Sequence, residues 1–252
     1  MTLRSLTACF LLGGSVLSIE IGARVDLQAQ DKKSEAKKEP SAEVIALCDA
    51  AGRGKTADVL AWIKKGAPVN AHGPTYGKSP LVLAILHRHP ETVKALLDNG
   101  ADVHFADGSH RYPMYFCHIS TVEIMKMIIA KGGDKEVNLY AGATEKAPNG
   151  IGKTCLGSVC AYGQGAPEMI PILVKAGADP NKNYIYLKNT PLILAIENER
   201  KGFDHAVYVR VLIEGGADVN LRSVKGISPL QAARKKNNPE VIKLLEKAGA
   251  KE

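Results

Sequence analysis

The chain predicts an all-α solenoid of stacked helical units, and three observations predict it. The first is a phrase that keeps returning: Gly66-Ala67-Pro68-Val69-Asn70, Gly100-Ala101-Asp102-Val103-His104, Gly177-Ala178-Asp179-Pro180-Asn181 and Gly216-Ala217-Asp218-Val219-Asn220. A looser copy, Gly132-Gly133-Asp134, and a truncated one, Ala248-Gly249-Ala250, extend the series. Gly66 and Gly100 stand about 34 residues apart and Gly216 and Gly249 about 33, a period of stacked units rather than of a closed globule. The second is a recurring helix start: Ser79-Pro80-Leu81, Thr154-Cys155-Leu156, Thr190-Pro191-Leu192 and Ser228-Pro229-Leu230. The third is a run of apolar residues at three-and-four spacing before each returning phrase: Val93, Leu96, Leu97; Ile124, Met127, Ile128; Val211, Leu212; Val241, Leu244, Leu245.

The N-terminal segment reads as an export signal over residues 1–29. Arg4 gives a short positive start, Leu6 to Ile19 carries no charge, and Ala23 or Ala29 offers a small residue for cleavage. Glu20, Arg24 and Asp26 make its final part more polar than usual, and a start placed too far upstream is the alternative. Export predicts a periplasmic or secreted protein with no stable membrane anchor after cleavage; the alternative predicts a cytoplasmic one. Residues 30–40, QDKKSEAKKEP, hold almost no apolar side chain and predict a disordered charged linker.

From residue 41 each unit follows one order. A Ser or Thr caps the first helix, and Pro fits its first turn, where no donor is lost. Leu81, Leu83 and Ala84 then face inward, as do Leu192, Leu194 and Ala195. A break such as His89-Pro90-Glu91 leads to the second helix. The Gly of the returning phrase ends that helix in a left-handed residue, and the Asp and Asn after it favour a turn.

The Ser/Thr-Pro-Leu starts and Gly-Ala-Asp-x-Asn ends resemble the ankyrin repeat family over roughly residues 41–252. Six units are expected, at about 41–71, 72–105, 106–139, 140–182, 183–221 and 222–252. The resemblance implies antiparallel helix pairs stacked side by side, with β-hairpin-like fingers projecting at right angles. The chain departs from the pattern in places. The first unit lacks Thr-Pro-Leu, as a capping repeat would. The third carries Tyr112-Pro113-Met114 and the bulky Tyr115-Phe116. The fourth has an insertion, Tyr140 to Gly150, and the fifth lengthens its inter-helix turn over Asn198 to His205. Val82, Gly157, Ile193 and Gln231 stand where the family has His.

Of 252 residues, 45% are hydrophobic and 5% aromatic, and the formal charge is +7. No stretch approaches the roughly 20 apolar residues of a spanning helix. The basic excess suits acidic partners or a solvated surface. Cys48, Cys117, Cys155 and Cys160 read as small buried hydrophobes rather than disulfides.

Aromatics are few, yet most of the tyrosines, with one Phe, fall at or near expected finger tips: Tyr76, Phe105, Tyr112, Tyr140, Tyr184 and Tyr186. Such rings concentrate binding energy at interfaces, or else pack against adjacent fingers. His72, His104, His110, Arg111, Lys188 and Arg222 are the expected polar contacts around them. The inserted loop 140–150 is a second candidate, as a binding loop or a neutral decoration. Ala147 to Thr154 approximates a phosphate-binding loop, but no apolar strand precedes it and Thr154 is explained as a helix cap. His87-x-His89 and His104…His110 lack the convergent spacing of a metal site. No nucleophile–base or paired-carboxylate arrangement stands out. The expected function is a non-enzymatic, monomeric module, without cofactor or nucleic acid, that binds a protein through its concave face and finger tips. The alternative is an accessory or inhibitory subunit whose 140–150 loop enters an enzyme's cleft.

Overall fold

The computed structural model describes residues 39–162, 167–185 and 187–252. The expected signal at 1–29 and most of the expected linker lie outside the described residues, as does Tyr186. Helices come in consecutive pairs: α1 (Ala42–Gly52) with α2 (Thr56–Lys64), α3 (Pro80–Leu86) with α4 (Pro90–Asp98), and α5 (Pro113–Phe116) with α6 (Val122–Ala130). Then follow α7 (Cys155–Tyr162) with α8 (Met169–Lys175), α9 (Pro191–Glu197) with α10 (His205–Glu214), and α11 (Pro229–Lys235) with α12 (Pro239–Lys247). Odd-numbered helices pack on one another in sequence to form an inner layer, and even-numbered ones form an outer layer. Short 3-10 turns at Cys117–Ile119 and Gly133–Glu136 complete the atypical third pair. Among the described residues there is no strand, and the fingers hold one antiparallel bridge, Tyr184 to Asn189.

The helix starts form as their sequences dictate. Ser79, Thr190 and Ser228 accept from the amides of Val82, Ile193 and Gln231, and Gln231 returns the bond to complete a capping box. Thr154 accepts from Gly157 N at 3.1 Å. Each outer helix ends at a left-handed glycine, Gly66, Gly100, Gly132, Gly177, Gly216 or Gly249. Between the layers runs one continuous core that includes Leu81, Ile85, Leu96, Ile124, Leu156 and Leu212. Leu83 departs from expectation. It is half-buried and lines a surface hollow beside Ile45 and His87 instead of entering the core.

The returning phrase does more than turn the chain. Asn70 donates to Gly100 O at 2.9 Å and accepts from Asp102 N at 2.8 Å, so it clasps the next unit's phrase. Asn138 grips Gly177 O and Asp179 N, Asn181 grips Gly216 O and Asp218 N, and Asn220 grips Gly249 O and Lys251 N. The Asp residues serve their own turns, accepting from the amide two residues on. In the second unit His104 replaces Asn, and its Nδ1 meets Glu136 Oε1 at 2.8 Å instead. That accounts for His104, which sequence placed among partner contacts.

The lengthened turn of the fifth unit is also a tie. Asn198, buried, donates to Cys160 O and Ala161 O, while Arg200 reaches Tyr162 O at 2.8 Å. Among the described residues, Cys48, Cys117, Cys155 and Cys160 are buried free thiols. Burial pushes Cys48 and Cys117 up to about 12, which leaves them inert as nucleophiles at neutral pH.

Candidate partner-binding face

The fingers line one edge of the inner layer and bond tip to tip. Gly108 N donates to Gly77 O at 3.3 Å, Gly142 N to His110 O at 3.2 Å and Val224 N to Lys188 O at 3.1 Å. Tyr76, His110 and Lys188 each hold a left-handed backbone at these tips (φ 53°, 56° and 58°). That conformation is uncommon for side-chain-bearing residues and fixes how the tip is presented.

The rings that sequence singled out divide into three groups. Tyr76 stands out from its tip, 73% exposed, with the Lys78 ammonium 4.6 Å from its ring centroid. Phe105, Tyr112 and Tyr140 are half-buried. Phe105 packs on His72 with centroids 4.7 Å apart. Tyr140 donates its hydroxyl to Asn183 O at 3.0 Å and lies under Lys182, so it joins the fourth finger to the fifth. Tyr184 is a correction: it is fully buried and belongs to the core. The reason is Gly157 on α7, where a Cβ would stand only 2.4 Å from Tyr184 Cδ2. The missing side chain leaves a slot, and the ring fills it. Tyr184 then donates to the Tyr162 hydroxyl at 3.2 Å, and burial raises its own phenol well above the ordinary value.

Among the polar candidates, Arg111 is committed to the buried carboxylate of Asp107 through contacts of 2.9 and 2.7 Å. Its guanidinium also lies 5.1 Å from the Phe116 ring centroid. His110, Lys188 and Arg222 are exposed. Arg222 reaches Gly226 O at 2.8 Å and the Gln231 side chain at 3.3 Å.

Aliphatic residues that sequence reasoning passed over supply much of the exposed apolar surface at the tips. Leu139, Ile151, Ile185, Leu187 and Val224 project there, Val224 being 65% exposed. Their signal was legible: an aliphatic residue inside a polar turn has no core to enter. Between α7, α9 and the fifth finger lies a hollow of about 400 Å³, lined by Ala161, Leu187, Asn189, Leu194, Glu197 and Lys225.

The inserted loop is built rather than loose at its base. Ala141 N donates to Lys153 O at 2.7 Å and Ile151 N to Ala141 O at 2.8 Å. Its far part, residues 145–151, is exposed. The stretch resembling a phosphate loop uses its own amides internally. Gly150 N donates to Ala147 O, Ile151 N to Ala141 O and Gly152 N to Asn149 O, so these amides are spent within the loop. Among the described residues, no three His, Cys, Asp or Glu side chains converge as a metal site. No helix among them is long and apolar enough to cross a membrane.

The family described as "Ankyrin repeats (3 copies)" matches residues 156–251, and that described as "Ankyrin repeat" matches residues 76–108. The ankyrin repeat protein YahD of Escherichia coli K12 is 28% identical over 69% of this chain and 81% of its own length. A protein of Danio rerio named palmitoyltransferase ZDHHC13 is 27% identical over 82% of this chain, which spans only 30% of that protein. In structure the chain is similar to an ankyrin repeat domain of Acinetobacter baumannii AYE, with TM-score 0.66 and 26% identity over 81% of this chain and 98% of that one. It is also similar to a chain of the complex between the Bd0816 predatory endopeptidase of Bdellovibrio bacteriovorus and the immunity protein Bd3460. There the TM-score is 0.61 at 20% identity, over 80% of this chain and 97% of that one.

Proposed function

From the premise that this chain belongs to the ankyrin repeat family, we propose that it is a non-catalytic module exported from the cytoplasm, where it binds one protein partner through its concave face and finger tips. The observation that carries the reading is the row of exposed apolar tips, Tyr76, Ile151, Ile185, Leu187 and Val224, along one edge of a hydrogen-bonded scaffold. Exposed apolar groups in a row mark an interaction surface, whereas scattered ones need no explanation. The tips are preorganised by the tip-to-tip bonds, so little ordering entropy opposes binding. Capture with the full chain from the exporting cell's envelope tests this directly. A variant carrying Tyr76→Ser, Ile185→Asp, Leu187→Asp and Val224→Asp should lose the captured partner while folding normally. Retention of the partner by that variant removes the fingers from the account. A fusion to a reporter that is active only outside the cytoplasm checks the export.

The inserted loop favours a second reading, in which the module inhibits an enzyme. Residues 145–151 project from a pinned base and carry the exposed Ile151, the form of a plug. This fold also occurs in the endopeptidase–immunity protein complex noted above. Deleting residues 144–150 should then abolish inhibition with little change in melting; a large drop in melting makes the loop structural.

A further inference from the structure

The residue just before the cap of each inner helix recurs in register at the junction of finger and groove. In the second, third and fourth units that position holds Lys78, Arg111 and Lys153, ahead of α3, α5 and α7. In the fifth and sixth it holds Asn189 and Ile227. Arg111 acts on Lys78, and Arg111 and Lys153 both act on the Tyr115 ring. Burial, and then the neighbouring charge of Arg111, hold the Lys78 ammonium below its ordinary value, with Asp107 opposing them. Burial raises the Tyr115 phenol, and both Lys153 and Arg111 draw it back. Asp107, whose charge acts on Lys78, is buried and already bound to Arg111. Aromatic faces flank the row: Lys78 on Tyr76, Arg111 on Phe116, and Lys153 with its ammonium 5.3 Å from the Tyr162 ring centroid. The other half of the face has different chemistry. It exposes Ile185, Leu187 and Val224, beside mixed charge in which Glu199 is paired with Lys236 at 2.8 Å, Glu197 accepts from Asn189 and Lys225 lines the hollow.

We infer that the row Lys78–Arg111–Lys153 receives an acidic segment of the protein partner, whose apolar residues continue onto Ile185, Leu187 and Val224. This rests on the concave-face reading and gives it a chemistry. A peptide can change character along its length as this face does. A phosphate backbone cannot, because it offers nothing apolar to Ile185, Leu187 and Val224. Packed helices in a layer lie about 8–10 Å apart, and a chain in the polyproline II conformation advances about 3.1 Å per residue with about three residues per turn. A carboxylate at every third residue of such a chain stays on one face and meets the row in step.

The test is fluorescence anisotropy with the full chain and a labelled synthetic peptide bearing Glu at positions 1, 4 and 7 followed by leucines. A control peptide has the same composition with its Glu residues contiguous. The spaced peptide should bind more tightly than the control, and more weakly as salt rises from about 50 to about 300 mM. K78E/K153E should weaken it by about ten-fold or more, and K78A/K153A less, given roughly 0.2–1 kcal/mol per exposed ion pair and a further repulsion on reversal. Melting curves establish that each variant folds. The outer-face reversal K126E/K131E should leave binding within about two-fold of the parent chain. Equal binding of both peptides, an unchanged K78E/K153E, an equal loss with K126E/K131E, or displacement by oligo-dT ahead of the acidic peptide would each overturn the inference. A captured partner that binds K78E/K153E normally but is lost with I185D/L187D/V224D overturns the acidic assignment alone. A partner lost with neither set overturns the concave-face reading as well.

Discussion

Tyr76 and Tyr184 are the same residue at two different stations of a finger, and one is 73% exposed and the other fully buried. Gly73 N donates to Lys78 O and Tyr184 N to Asn189 O, so Tyr184 stands where the second finger has the buried Gly73, and Tyr76 lies further on, toward its tip. The inner station faces the preceding unit's inner helix. In the second finger a Cβ there would stand 2.6 Å from Cys48 Sγ on α1, and the station is glycine. In the fifth, Gly157 on α7 leaves a slot, so Tyr184 enters the layer and meets Tyr162. What the inner station holds therefore depends on the inner helix one period back in sequence.

The largest effect that would sharpen this contrast is Tyr184→Ala. Removing a buried ring leaves a cavity and should lower stability by about 3–5 kcal/mol, read by chemical denaturation. Tyr76→Ala should stay within about 0.5 kcal/mol while weakening partner binding. Similar stability losses for the two would erase the distinction.

The next effect concerns His118, which packs beside Tyr115 and Tyr162 on the fifth-finger side of the contrast. Its Nδ1–H donates to Tyr115 O at 2.6 Å, and burial lowers its pKa from 6.5 to about 4. Between those values the unfolded chain takes up a proton that the folded chain refuses. Stability is thus present above pH 6.5 and is lost as pH falls through that window, by roughly 3 kcal/mol at most. His118→Gln should flatten part of that acid dependence in a melting series. A parallel profile would remove His118 as its source.

Gly157→Ala comes third. The added methyl would meet Tyr184 Cδ2 at 2.4 Å, so the ring must shift, at about 1–3 kcal/mol. The variant should also raise the accessibility of Tyr184 to iodination; an unchanged melting point would show that the slot has room. Smaller again is Asn181→Ala, which removes one clasp between units. Two partly exposed hydrogen bonds are worth about 1–2 kcal/mol together, and the loss should show as reduced amide-exchange protection near Asp218.

The parts legible in sequence are those fixed within a few residues. Ser79-Pro80-Leu81 and Gly100-Ala101-Asp102 specify a cap and a left-handed stop by local chemistry, so the helix pairs could be placed from them. The clasp made by Asn70 was not legible, because its partners Gly100 and Asp102 lie one period on, and Asn alone reads as a turn former. The site was legible in outline, as fingers, and misassigned in detail. Tyrosines drew the attention, but Tyr140, Phe105 and Tyr184 join fingers or fill the core, while Ile185, Leu187 and Val224 supply the exposed surface. Exposure depends on what the neighbouring unit leaves open, and the period alone does not state that.

The most direct test of a concave binding face is photo-crosslinking from single benzophenone probes in the full chain. One stands at Val224, on a finger tip, and one at Leu60, exposed on the outer helix α2. A crosslinked partner from Val224 and none from Leu60 is the predicted result. A partner trapped from Leu60 alone would contradict it and move recognition to the outer layer.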